Sequence, residues 1–467
     1  MPLPAMDTYH HRTARYRTRA PRPSLPGKPG ALAAVVIALL AAALVSTRSE
    51  AASACVDTSA SSRGEVSDPS AARLQLVSLM AAAQKRSQAI GAAKLLADAA
   101  SFDVEEVRAI GKPQLSFNTS VGPAGSKPEG GEHKSSMQWR TGVNFSWALY
   151  DHGRVEHLTR WRASLADAAQ QGQISLSEQV ALQTVNLALD RSRHRLHTQV
   201  WGQYAAKVCK LVDSLEQIVA ADKGRGSELV QARKTLQQVQ LSQAQARTQL
   251  AVTETRLKRL VGDELPEPAS LSALLPGVPA LADLQDRAVR SADIVALDAQ
   301  AKAAANLAQA TVASQKFQAG LAVGLSTAIG KEKSGAWNAG VSLSMPILNP
   351  GADPAAQAAR LRASAAKLQR DDALESLRSR LAEVHQQAES STVRAREVVG
   401  VLRNSERVRE DTLAQWQQLG RRSLFDVMSA EGDHFNLRLA YVDALHDSQQ
   451  SMALLWSLAG GISQPLN

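Results

Sequence analysis

Aromatic side chains are scarce, 4% of 467 residues, while alanine and leucine abound. That balance excludes a thick globular core and suits close packing of long, thin helices. Cysteine is nearly absent, with two in the whole chain, which excludes a densely disulfide-stapled scaffold and a cysteine-rich zinc site. After residue 54 no stretch reaches the ~20 consecutive apolar residues of a membrane-spanning helix. A basic stripe interleaved with aromatics is missing too, so nucleic acid is excluded as a partner. No Ser-His-Asp set, phosphate loop or paired-carboxylate pocket assembles from the sequence, and neither an enzyme nor a cofactor is expected. His194 and His197 share a helix face without a third ligand nearby, so a solvated face is expected there rather than a metal.

What is present begins with an export signal over residues 1–54. Arg12, Arg15, Arg17, Arg19, Arg22 and Lys28 precede an apolar run from Ala31 to Val45, then small residues, with cleavage expected near Ala51 or Ala54. With Arg48, this segment holds seven basic residues against Asp7 and Glu50, more than half of the net charge of +9. Both cysteines, Cys55 and Cys209, survive cleavage and enter a compartment that oxidises thiols, so a disulfide between them is expected. The extended chain from Cys55 to Ala71 is long enough to bring the two together. Lipidation of Cys55 is the alternative, although Ala52-Ser53-Ala54 lacks the large aliphatic residue such a site carries.

The strongest internal signal is a duplication. Residues 139–153 align with residues 337–351, with Trp139/Trp337, Gly142/Gly340, Val143/Val341, Ser146/Ser344 and Gly153/Gly351 identical. A second pair, Gly224-Arg225-Gly226-Ser227 and Gly420-Arg421-Arg422-Ser423, recurs at nearly the same spacing.

Period-2 alternation marks four strands. One face carries Leu115, Phe117, Thr119 and Val121; Val143, Phe145, Trp147 and Leu149; Leu321, Val323, Leu325 and Thr327; and Val341, Leu343, Met345 and Ile347. The other carries Ser116, Asn118, Asn144, Ser146, Gly324, Ser326, Ser342 and Ser344. Apolar residues on one side and small polar ones on the other are the pattern of an outer-membrane barrel wall, and four strands are too few to close one without other copies.

Between these hairpins and the Gly-Arg motifs run proline-poor stretches of helical length, Gly153–Ser227 and Gly351–Ser423. Helices of about half that length follow the motifs, Ser227–Gly262 and Ser423–Gly460, and similar ones open each half, Ala71–Gly111 and Leu281–Phe317. The expected organisation is a linker 55–70, a first repeat 71–265 with hairpin 113–150 and tip 224–227, and a proline-rich joint 266–280. A second repeat 281–462 follows, with hairpin 318–348 and tip 420–423, and then a tail 463–467. A spacing of three and four residues after the first tip, through Leu236, Val239, Gln243, Ala246, Leu250, Thr253, Leu257 and Leu260, predicts coiled-coil packing.

The run Gly420-Arg-Arg-Ser-Leu-Phe-Asp-Val-Met-Ser-Ala430 resembles the tip motif of the TolC family of outer-membrane efflux and secretion proteins, and the resemblance covers nearly all of the chain after the signal. It implies an α+β, mostly α fold. It also implies a homotrimer that shares a twelve-stranded transmembrane barrel embedded in outer-membrane lipid, above a periplasmic coiled-coil tunnel. By the same resemblance Asp426 would form an acidic ring at the tunnel mouth and Arg422 would latch that mouth. The tips, with Gly224, Arg225, Gly226, Ser227, Gly420, Arg421 and Ser423, would meet a periplasmic adaptor serving an inner-membrane pump such as an ABC transporter. Independently of the family, Ser423 and Asp426 have the spacing of a helix-capping pair. The expected function is a passive conduit for type I protein secretion, with small-molecule efflux as the alternative. A periplasmic scaffold or adaptor without a pore is the alternative of another class.

Overall fold

The computed structural model describes residues 69–126, 134–267, 275, 277–330, 333–419 and 421–462, all within one compact unit spanning residues 56–467. The expected signal and linker, Cys55, Gly420, parts of both hairpin loops, Pro268 and Pro276 of the joint, and the tail lie outside the described residues. Within the first repeat the order is α1 Pro69–Arg86, α2 Gln88–Ala109, β1 Gln114–Ser126, β2 Lys134–Tyr150, α3 Arg154–Ala221 and α4 Gly226–Val261. The second runs α5 Leu281–Ala288, α6 Ala292–Ala313, β3 Gln318–Ile329, β4 Lys333–Ser344, α7 Ala352–Ala414 and α8 Leu424–Leu458.

The opening helix of each half is broken, where the sequence predicts one continuous piece. In the first half Ser87 interrupts it: its backbone is extended and its hydroxyl accepts from the Ile90 amide, so a new helix starts there. The second half breaks at Val289–Ser291, again with an extended serine before the next helix. The helices that follow, α2 and α6, are both 22 residues long, so the break belongs to the repeat. The second hairpin ends at Ser344 and not at residue 348, because Pro346 has no amide to donate to a ladder.

The four strands form one antiparallel sheet in sequence order, so β1 and β4 are its edges. Register confirms the alternation: Phe117 lies opposite Val143, Val143 opposite Leu325 and Leu325 opposite Trp337, an apolar row across all four strands. Beside it Ser116, Asn144, Gly324 and Asn338 form a row on the other face.

Helix α3, 68 residues in one piece, packs against α2, α4, α6 and α8. On α4 the buried residues Ala232, Val239, Ala246 and Thr253 recur every seven positions, the repeat that winds helices into a left-handed supercoil. Gln243, which weakens the apolar pattern on paper, fits because Gly202 of α3 faces it; a methyl group there would sit 2.8 Å from the amide nitrogen. Three apolar clusters result among the described residues. One gathers Leu76, Met80, Val185, Leu189, Leu275 and Met452 around the joint. A second gathers Tyr204, Leu215, Leu424 and Phe435 toward the tips, with the Tyr204 and Phe435 rings stacked at 4.7 Å. The third holds Leu284, Leu381 and Leu455 in the second repeat.

Candidate functional site: strand faces, tips and a buried polar seam

Three features of the fold carry chemistry beyond packing. The first is the sheet. Its apolar face is left uncovered by the helices, with Phe117, Leu325, Trp337, Val341 and Leu343 all exposed. On the opposite face Asn144 donates to the Asn118 side chain at 3.0 Å, and Gly142 and Gly324 leave room for the asparagines to lie flat. No described helix is long and apolar enough to cross a membrane.

The second feature is the pair of tips. At the first, Asp222 leaves the helical region and its carboxylate accepts from the Gly224 amide at 2.9 Å, after which a single 3-10 turn, Lys223–Arg225, leads into α4. Neither Gly224 nor Gly226 has a positive φ, so the turn comes from the aspartate cap and not from glycine's left-handed freedom. Arg225 lies 3.5 Å from Glu228. At the second, α7 passes into a π turn, Gln415–Leu419, whose first carbonyl accepts from the Arg421 amide. Helix α7 and this turn together occupy 352–419, the same length as α3, so Ser423 occupies the place of Arg225 and the two Gly-Arg motifs are offset from structural equivalence. Arg422 donates from Nε to the Gln415 side chain at 3.2 Å, within its own tip. Ser423 and Asp426 form a reciprocal capping box: Ser423 Oγ accepts from the Asp426 amide at 3.2 Å, and Asp426 accepts from the Ser423 amide at 3.1 Å. Asp426, Arg421 and Arg422 are exposed, as are Gly224 and Ser227. Cys209 is on α3, 12 residues before its end.

The third is a seam of buried polar groups along α8, which the sequence reading missed. Glu431 and His434 occupy positions in the three-four rhythm of Leu424 and Val427, where apolar residues are expected. Arg409 of α7 reaches both Glu431, at 3.1 Å, and Glu406, at 2.6 Å, and His434 Nε2 lies 3.0 Å from Glu406. Further along, Asp443 accepts from Arg193 at 2.6 Å and lies 2.9 Å from His197, and His446 Nε2 lies 2.9 Å from Asp190. His197 is therefore packed between helices, against the solvated face expected of it, because α8 covers that side of α3. The legible signal was reciprocal spacing, with Arg193 and His197 on one helix and Asp443 and His446 on the other. Among the described residues no group of three His, Cys, Asp or Glu could hold a metal.

Four groups in these environments hold a proton less readily than usual. Burial lowers His434 and His194 despite the opposing pull of Glu406 on the first and Asp190 on the second. The hydrogen bond from Arg409 lowers Glu406 against its desolvation. Burial would raise Asp443, but the hydrogen bonds and charges of His197 and Arg193 outweigh it and leave it lowered. All four groups bind protons less readily folded than unfolded, so stability is greatest above the ordinary histidine value of 6.5 and falls as pH drops through it. The carboxylates extend the loss from their ordinary values of 4.5 and 3.8 downward. Thermal unfolding followed by circular dichroism is expected to show a lower Tm at about pH 5 than at about pH 7, with the upper part of the curve flattened by combining His194→Gln and His434→Gln. A Tm that rises on acidification would contradict the assignment.

Residues 79–263 match the family model described as outer membrane efflux protein. No curated protein sequence matches. Among solved structures the chain is similar to CusC, with a TM-score of 0.76 and 20% identity over 83% of this chain and 92% of that one. It is similar as well to the CmeC outer membrane channel of Campylobacter jejuni, TM-score 0.73 and 16% identity over 83% of this chain and 86% of that one. The outer membrane protein VceC of Vibrio cholerae gives 0.73 and 17%, over 83% of this chain and 97% of that one. The first repeat thus carries the pattern of the outer membrane efflux proteins, and both repeats share the fold of these outer-membrane channels.

Proposed function

We propose that three copies of this chain close a twelve-stranded barrel in the outer membrane and that their helices form a tunnel on the periplasmic side. The carrying observation is the sheet: 12- to 17-residue strands, an uncovered apolar face, and two unpaired edges, β1 and β4. Strands of that length exceed the roughly 9–11 residues that a tilted strand needs to cross a bilayer. An exposed edge of this length invites pairing, and in lipid every backbone group must find a partner, so β4 of one copy pairing with β1 of the next removes both edges.

The chain then acts as a passive conduit of a tripartite exporter, its tips meeting a periplasmic adaptor through the exposed arginines and its energy supplied by an inner-membrane pump. Efflux of small solutes is the cargo reading that the family's description favours. Type I protein secretion is the second reading, favoured by the likeness of the tip Gly420–Ala430 to that branch. Deleting the chain and following extrusion of a fluorescent solute beside the extracellular protein profile separates the two.

At the tunnel mouth, Asp426 spends one oxygen on its cap, and the exposed carboxylate carries a charge that three copies would concentrate into a ring. Arg422 and Gln415 would hold the loop that presents it. Cys55 and Cys209 would form a disulfide that ties the start of the secreted chain to the long helix. In planar bilayers, Asp426→Ala and the milder Asp426→Asn are expected to raise single-channel conductance at neutral pH or to weaken block by divalent cations. Unchanged conductance together with unchanged block would remove Asp426 from the mouth.

A further inference from the structure

The four strands carry three charged residues and no acidic ones: Lys134, Arg140 and Lys333. Lys134 and Lys333 are the first residues of their strands, next to the hairpin loops, whose acids Glu129, Glu132 and Glu332 stand with Lys127 and Lys331. Arg140 alone lies inside the ladder, opposite Ser120 on one side and Ala328 on the other. Alternation puts it on the polar face, with Gln138, Gly142, Asn144 and Asn118.

Apart from Lys134 at its loop end, which the same alternation puts on this side, that face is neutral and low, built mainly of serine, glycine, alanine and flat-lying asparagine. Arg140 is exposed, and its guanidinium donates from Nε and Nη2 to Gln138 Oε1 at 3.4 and 3.3 Å. Among the described residues no carboxylate pairs with it. A cation on a wall with low-dielectric surroundings and no counter-charge attracts mobile anions, and closing the sheet into a narrow pore concentrates its field.

We propose that Arg140, repeated around the barrel, forms a cationic girdle that makes the outer part of the duct prefer anionic solutes. This rests on the barrel reading above. The girdle's charge is opposite to that of the acidic mouth, so the two filters act in series, the mouth gathering cations and the barrel favouring release of carboxylate- or phosphate-bearing solutes.

The test uses the full-length protein in planar bilayers under a potassium chloride gradient, with Asp426→Ala as background so that the mouth does not dominate. Arg140→Gln is expected to lower the chloride-to-potassium permeability ratio by about two-fold or more, Arg140→Glu to invert the preference, and Arg140→Lys to retain it. Each variant is first checked for the heat-modifiable oligomer, so that misassembly is not read as altered selectivity. If Arg140→Gln and Arg140→Glu leave the ratio unchanged in assembled channels, the girdle is wrong while the conduit stands. Absence of any conductance from the unaltered protein overturns the conduit, and the girdle with it.

Discussion

Leu325→Arg is expected to abolish the outer-membrane oligomer. Leu325 lies at the centre of the row Phe117, Val143, Leu325 and Trp337, 60% exposed on the apolar face. An arginine there faces lipid hydrocarbon, at a cost of about 2–4 kcal/mol near the bilayer midplane. Three copies multiply that cost against one assembly step. Ser326→Arg, one residue along on the opposite face, points into the proposed lumen and is expected to assemble. The readout is the heat-modifiable band in outer-membrane fractions, and equal loss in both variants would sink the assignment of faces. The pair is more telling than either alone, since a general intolerance of charge in the sheet damages both alike.

Arg409→Leu is expected to destabilise the coil of α7 and α8 by about 3–5 kcal/mol, because it strands a carboxylate in the interior. The side chains of Arg409 and Glu431 are 12% and 9% exposed, and Glu406 and His434 complete the group. Removing the guanidinium leaves Glu431 desolvated beside a second carboxylate. Arg409→Leu combined with Glu431→Leu removes both charges and is expected to recover most of the loss, since an apolar pair of similar volume packs well in a coiled-coil core. Denaturant unfolding followed by circular dichroism measures both variants. A single-mutant loss of under about 1 kcal/mol would mean that the pair behaves as a surface bridge.

Much of the architecture was legible in the sequence because it is written in local periodicity. The strand faces were readable from alternation, since successive side chains leave a strand on opposite sides whatever lies beyond it. The capping box was readable from Ser423 and Asp426, whose two hydrogen bonds span three residues and need no other part of the chain. The long helices were readable from the scarcity of proline between the hairpins and the tips, where only Pro354 occurs, in the first turn of α7.

The helix breaks were harder. Ser87 looks like any serine within an apolar rhythm, and its hydroxyl caps a new helix only because the chain turns there as it packs against α3. The tips were misaligned for a related reason: the Gly-Arg motifs match as letters, but α4 starts inside the first motif, at Gly226, whereas α8 starts only after the second, at Leu424.

By itself, then, the sequence determined the duplication, the two-faced strands, the uninterrupted helices and the cap at the second tip, each encoded within a few residues or in a regular repeat. Only the tertiary structure decided which charged residues are buried. Asp190 and His446 meet across 256 residues, and Glu431 is interior because Arg409 arrives from the neighbouring helix. The cost or benefit of a charge depends on what faces it, and in a coil of long helices that partner is set by how the helices are laid side by side.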